Sequence, residues 1–344
     1  MNPNMAYYAL ETKIATKKGH ILNKNDWNKF IESDSVEQLV QHLKNNTEFN
    51  KAFTEFPKDN FERDDLESLL LRFKTLEVEN LLHYFSGPYK EFIKTMLMEA
   101  EIQDLSLILR KIARGESLEE IEQRFVHSKI YSTLPFKEIY SSNSFEQAIQ
   151  NLKGTLYYNG LSNLSKEDAL TREFHIEMKM YLVFYKTLFE KALKLDKEDQ
   201  KAVKEVAGLK IDLLNIQWIY RAKKYYNIST EEMFNYSLEG GKNIDVLQLK
   251  KLCYSKSNDE FEKLVHDYLG YNLFKDLHED IDINIVIDSY MFNFLKRKTY
   301  KNIGTIISFI FLLDTVINDL TSITEGIIYK ISKEKLKGYL AYNI

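Results

Sequence analysis

The stretch "MLMEAEIQDLSLILRK", residues 96–111, together with the following Ile112, sets Met98, Ile102, Leu105, Leu109 and Ile112 four, three, four and three residues apart. That period puts all five on one face of a helix and predicts a seam packed against another helix. Glu99, Glu101 and Asp104 interrupt the segment. Carboxylates beside an apolar seam are costly unless something pairs them. Whether the chain repeats the arrangement is therefore informative.

It does so twice. "EIQDLSLILR" (101–110) aligns with "DLLNIQWIYR" (212–221) and "VINDLTSITE" (316–325). Glu101 and Asp212 open the first two copies, and Val316 opens the third. The next polar position is Asp104, Asn215 and Asp319. Leu105, Ile216 and Leu320 follow it, then Ile108, Ile219 and Ile323. The copies end in Arg110, Arg221 and Glu325. The seam also recurs, as Leu209, Leu213, Ile216 and Tyr220, then as Leu313, Ile317, Leu320 and Thr324.

A second element keeps nearly the same period. "SVEQLVQHL" (35–43) aligns with "SFEQAIQNL" (144–152) and "EFEKLVHDY" (260–268), through Glu37, Glu146 and Glu262. Ser33 and Ser35, Ser142 and Ser144, and Asn258 stand before these stretches as expected helix N-caps. Two elements sharing one period predict an internal triplication, with units at 6–125, 126–235 and 236–344. Each unit is too long for a two-helix solenoid repeat, so three similar helical domains are expected.

Composition agrees with an all-α chain. Its 344 residues include 12 Gly and 4 Pro, too few for the many tight turns of a sandwich or barrel. A net charge of −4 gives no general basis for binding nucleic acid. Cys253 is the single cysteine, so no intrachain disulfide framework is possible, and it reads as a packed thiol. "MNPNMAYYALETK" lacks the basic and apolar regions of a signal peptide. "IGTIISFIFLLDTVI" (303–317) is short for a membrane span, contains Asp314, and reads as a buried core helix.

Candidate chemistry is sparse. "DIDINIVIDSYM" (280–291) imitates a calcium loop at Asp280, Asp282 and Asn284, but has Ile285 where the turn needs Gly and Met291 where a Glu ligand belongs. Glu173, His175 and Glu177 do not share a helix face. No phosphate loop, dinucleotide fingerprint or nucleophile elbow occurs. No catalytic residue, cofactor or metal is therefore expected. Three basic clusters, Lys296, Arg297, Lys298 and Lys301, then Arg221, Lys223 and Lys224, then Lys330, Lys333, Lys335 and Lys337, read as solvated helix faces, or alternatively as a membrane-proximal contact. The repeated acids have two readings. They cap or pair across helix junctions, or they line a central cavity.

The opening "YYALETKIATKKGHIL" with Lys13 and Gly19, the repeated helices, and "NIGTIISFIFLLDTVINDLTSITEG" with Gly304 and Gly326 resemble the central-stalk adaptor family of rotary V-type and A-type ATPases. Its members are called the C subunit in bacteria and archaea and the d subunit in eukaryotes. Asp314 stands where that family often has Glu, and Val316 where it often has an acid. The resemblance implies a funnel of three helical domains with pseudo-threefold symmetry and no catalytic activity. It implies partners too: the central shaft, made of the coiled-coil D subunit and the associated F subunit, and the membrane proteolipid ring. The protein would be a monomer when isolated and peripheral on the cytoplasmic face. It would couple shaft to ring during proton or sodium transport. Rival expectations are a generic helical adaptor and an enzyme with an acidic site between repeats.

Overall fold

The computed structural model describes residues 3–46, 48–58, 61–171, 174–226, 228–277 and 282–342. Among them every regular element is a helix and none is a strand. The all-α expectation holds for these residues. Two compact units form, Met1–Arg63 with Asp196–Ile344, and Asp64–Leu195. They follow spatial packing, so the first unit gathers both ends of the sequence.

In the first unit the Ile303–Ile328 helix forms the core. The helices Lys197–Tyr225, Ile283–Arg297 and Pro3–Ile21 pack on it. By length and composition it could cross a membrane, but 83% of its most apolar window is buried inside the protein. Two glycines make close packing possible along it. A Cβ at Gly304 would lie 2.6 Å from the Tyr300 ring, and one at Gly326 would lie 2.9 Å from Leu336 Cδ1. Asp199 Oδ1 accepts the Ile303 N–H at 2.9 Å, satisfying a donor at the start of this helix. In the second unit the helices Gly87–Thr95 and Met98–Arg114 pack against Phe174–Ala192.

The seam reading is correct at four positions of each copy, while Ile112, the fifth position of the first, is only half-buried. Met98, Ile102, Leu105 and Leu109 are buried, as are Leu209, Leu213, Ile216 and Tyr220, and Leu313, Ile317, Leu320 and Thr324.

The second repeated element needs correcting at its caps: the hydroxyls of Ser33 and Ser142 turn back to the Lys29 and Glu138 carbonyls of the preceding helices, and the third copy has a different cap. Ser35 and Ser144 cap their helices as expected, accepting the N–H of Gln38 and Gln147. The third cap is Ser257, not Asn258, and it accepts the Glu260 N–H. The side chain three residues after each cap reaches back to the main-chain N–H just before it. Gln38 accepts from Asp34 at 2.8 Å, Gln147 from Asn143 at 2.9 Å and Glu260 from Lys256 at 2.7 Å. This double cap sets the register, so Glu260 occupies the position of Gln38, and Asp259 rather than Glu262 that of Glu37. Buried residues follow four after each cap (Leu39, Ala148, Phe261) and eight after (Leu43, Leu152, Val265). Aligning on Glu262 matched the acid and apolar pattern but slid the third copy by three residues.

Candidate functional site: backbone staples on the repeated helices

The repeated polar residues are buried and bonded to main chain further along the sequence. Asp104 is 2% exposed. Its carboxylate accepts the N–H of Val126 at 3.0 Å and of His127 at 2.8 Å, and His127 Nδ1 lies 2.7 Å away. The His127 ring stacks on Phe136 at 3.9 Å. From the Arg63–Leu82 helix, Arg72 Nε donates to the Phe125 carbonyl at 2.7 Å and Thr75 Oγ1 to the Val126 carbonyl at 2.8 Å. The 125–127 segment is thereby held from two helices.

Asn215 makes a reciprocal pair with one residue. Its Nδ2 donates to the Leu238 carbonyl and its Oδ1 accepts the Leu238 N–H, both at 2.8 Å. Asp319 returns to the carboxylate pattern, accepting the N–H of Ala341 and of Tyr342 at 2.9 Å each. The three staples span 22, 23 and 22 residues.

The acid three residues earlier makes a second, longer staple in two copies. Glu101 accepts the Ser132 hydroxyl at 2.6 Å and the Tyr157 hydroxyl at 3.0 Å. Asp212 accepts the N–H of Asn243 at 2.7 Å and of Ile244 at 3.2 Å. Both span 31 residues to their first partner. Burial pushes the Glu101 carboxyl up and drives the Asp212 carboxyl to about 6, although its main-chain donors pull the other way. Glycine lets the 239–244 loop reach Asp212. A Cβ at Gly241 would lie 2.0 Å from Asp212 Oδ1, and one at Gly208 would lie 2.9 Å from the Lys242 nitrogen. Val316 has no group to make this bond.

Partner chemistry explains the choice of Asn or Asp. Asp104 and Asp319 each face two successive N–H donors, which a carboxylate satisfies. Asn215 faces one donor and one carbonyl, which only an amide satisfies. Asn215→Asp is therefore expected to lose about 1–3 kcal/mol in urea melts at neutral pH, because the carboxylate meets the Leu238 carbonyl without a proton to share. Retained stability at that pH would refute this reading.

Each helix-end charge has its own setting. Arg110 lies 3.1 Å from Glu177 and donates to the Ser106 carbonyl at 3.2 Å. Glu325 accepts from Arg63 Nε at 3.2 Å. Arg221 is half-buried, with no ion pair or side-chain hydrogen bond among the described residues. Two of the three charges thus have a counter-charge within their own unit. Glu325→Lys sets two cations together at a half-exposed site, and thermal melts are expected to show a loss under about 1 kcal/mol.

The structure joins Glu101, Asp104 and Arg110 in one unit, and Asp212, Asn215, Arg221, Asp319 and Glu325 in the other. No cluster of three His, Cys, Asp or Glu suited to a metal forms among the described residues. Asp280 of the calcium-like stretch and Glu173 lie outside them, while Asp282 caps its helix through the Asn284 N–H. Cys253 is fully buried, its thiol pushed up to about 11 by burial. Sequence reading missed His127, Ser132, Tyr157 and Tyr342, which sit outside the periodic helices. The constant spacing to the next loop is the signal that marks their neighbourhood.

The family model described as ATP synthase (C/AC39) subunit matches residues 10–339. Similar proteins include the A-type ATP synthase C subunit of Methanosarcina mazei, 23% identical over 76% of this chain and 70% of that protein. That of Methanosphaera stadtmanae is 23% identical over 89% and 81%. That of Methanococcoides burtonii is 26% identical over 55% and 52%. With the family pattern running through nearly all of its helices, the chain belongs to the family of the ATP synthase (C/AC39) subunit.

Proposed function

We propose that the chain is the non-catalytic central-stalk adaptor of a rotary A/V-type ATPase. It seats the coiled-coil shaft, built from the D and F subunits, and bears on the membrane proteolipid ring. In this reading it is peripheral on the cytoplasmic face and passes rotation between the two during ATP-linked proton or sodium transport. The observation that carries the reading is the family match across residues 10–339. The buried acids support it over an enzyme, because Asp104, Asp212 and Asp319 are committed to main-chain donors.

We further propose that three copies of one helical unit, near 6–125, 126–235 and 236–344, build the adaptor. The recurring staple and double cap support this. Reconstitution provides the test. Adding this chain to the shaft, the catalytic head and the proteolipid ring is expected to restore ATP-driven ion pumping. Full pumping without it, or its failure to bind either shaft or ring, would refute the adaptor role.

A further inference from the structure

Two turns of the Asp64–Leu195 unit project aliphatic side chains into solvent. In the first, the Ser132 N–H donates to the Ser128 carbonyl at 3.1 Å and the Tyr131 N–H to the Ser128 hydroxyl at 2.9 Å. Lys129 and Ile130 form its tip, and Ile130 is 74% exposed. In the second, the Thr155 N–H donates to the Leu152 carbonyl at 2.9 Å, and Leu156, the next residue, is 62% exposed. Turn tips ordinarily carry Gly, Asn, Asp or Ser. Both turns are fastened to one buried carboxylate, because Glu101 accepts the Ser132 and Tyr157 hydroxyls. Each fastening point lies within two residues of an exposed aliphatic, so the pair is displayed on a rigid base.

Lysines stand at that base. Lys90 and Lys94, one turn apart on the Gly87–Thr95 helix, lie 6.0 and 5.9 Å from the centroid of the Tyr131 ring. Like charges at this spacing repel. Neither lysine makes an ion pair or side-chain hydrogen bond among the described residues, and nor does Lys129. Glu91, between the first two, is turned to Lys191 at 3.3 Å. Lys94 acts on Glu101 from beyond ion-pair distance, where the two hydroxyls already occupy the carboxylate.

We propose that this surface binds anionic lipid headgroups, with Lys90, Lys94 and Lys129 on the phosphates and Ile130 and Leu156 entering the acyl boundary beneath them. The proposal rests on the surface alone, so it and the adaptor reading stand or fall separately. Protruding aliphatics ringed by cations match a headgroup layer over apolar tails. Lysine stems lie along apolar surface while their ammonium groups reach the phosphates, and a tyrosine suits the same depth. The net charge of −4 opposes general adsorption to an anionic surface, so the attraction must be local. Leu247 is 73% exposed, but acids accompany it: Asp245 caps its helix, and Tyr254 at the end of that helix donates to Glu231.

Co-sedimentation of the full chain with protein-free vesicles tests the proposal. Binding to phosphatidylcholine vesicles carrying about one-third phosphatidylglycerol is expected to be more than about tenfold tighter than to phosphatidylcholine alone. Raising the salt from about 0.1 M to about 1 M should weaken it. Lys90→Ala with Lys94→Ala is expected to weaken binding more than about tenfold, near fivefold per lysine. Ile130→Ser with Leu156→Ser leaves the charge unchanged and is expected to weaken it more than about fivefold. Lys250→Ala with Lys251→Ala removes equal charge from an exposed helix of the other unit and should change it less than about twofold. Equal wild-type binding to the two vesicle types would overturn the proposal. So would an equal loss in the Lys250 and Lys251 control, or unchanged binding of the folded Ile130 and Leu156 variant. Binding of poly-glutamate without binding of vesicles would overturn it in favour of an acidic protein segment.

Discussion

Asp104→Ala is expected to destabilise the Asp64–Leu195 unit by about 2–5 kcal/mol, measured by urea melts followed by far-UV circular dichroism. The substitution removes few atoms but leaves the Val126 and His127 N–H groups buried without an acceptor. Each orphaned donor costs its desolvation, roughly 1–3 kcal/mol. His127 Nδ1 loses its partner too, although its ring remains stacked on Phe136. Asp104→Asn should cost less, about 1–3 kcal/mol, because one amide oxygen still accepts while the amide nitrogen faces a donor. Arg124→Ala is a useful control in the same unit. Its ion pair with Asp64 at 2.9 Å is nearly half exposed on both sides, and its loss should cost under about 1 kcal/mol. If Asp104→Ala cost no more than this control, the staple would not hold the 125–127 segment.

These staples show what the sequence makes legible. Leu105, Ile216 and Leu320 were readable as core because helical period is a local property, visible within a few turns. That Asp104, Asn215 and Asp319 belong together was readable from the repeat. What they bind was not, because the partners are main-chain N–H and carbonyl groups, which every residue carries. Only the choice of Asn at 215 hints that one partner is a carbonyl. The third cap shows a related limit. Glu262 and Asp259 both offer an acid for the position of Glu37, and the Lys256 N–H bond to the neighbouring Glu260 decides for Asp259. The helix-end charges were less legible still. Arg110 and Glu325 meet Glu177 and Arg63, residues that no local pattern connects to them.

Leu105→Ala is expected to cost about 2–5 kcal/mol, the range for a large-to-small change in a core that cannot fully collapse. Leu105 is completely buried and sits in the middle of its seam, with Ile102, Ile108 and Leu109 also at or near zero exposure. Removing its side chain opens a void whose walls belong to packed helices rather than to a loop free to fill it. The unit 64–195 contains no tryptophan, whereas Trp27 and Trp218 both belong to the other unit. The two signals therefore separate the response. Circular dichroism of Leu105→Ala should show the full loss, and tryptophan fluorescence should shift less. Ile216→Ala and Leu320→Ala carry the same seam position into the unit that holds both tryptophans, so they should move the fluorescence transition directly. A Leu105→Ala loss below measurement error would mean that the seam of the Met98–Arg114 helix does not stabilise its unit, and would remove the physical reason for the spacing from which the fold was read.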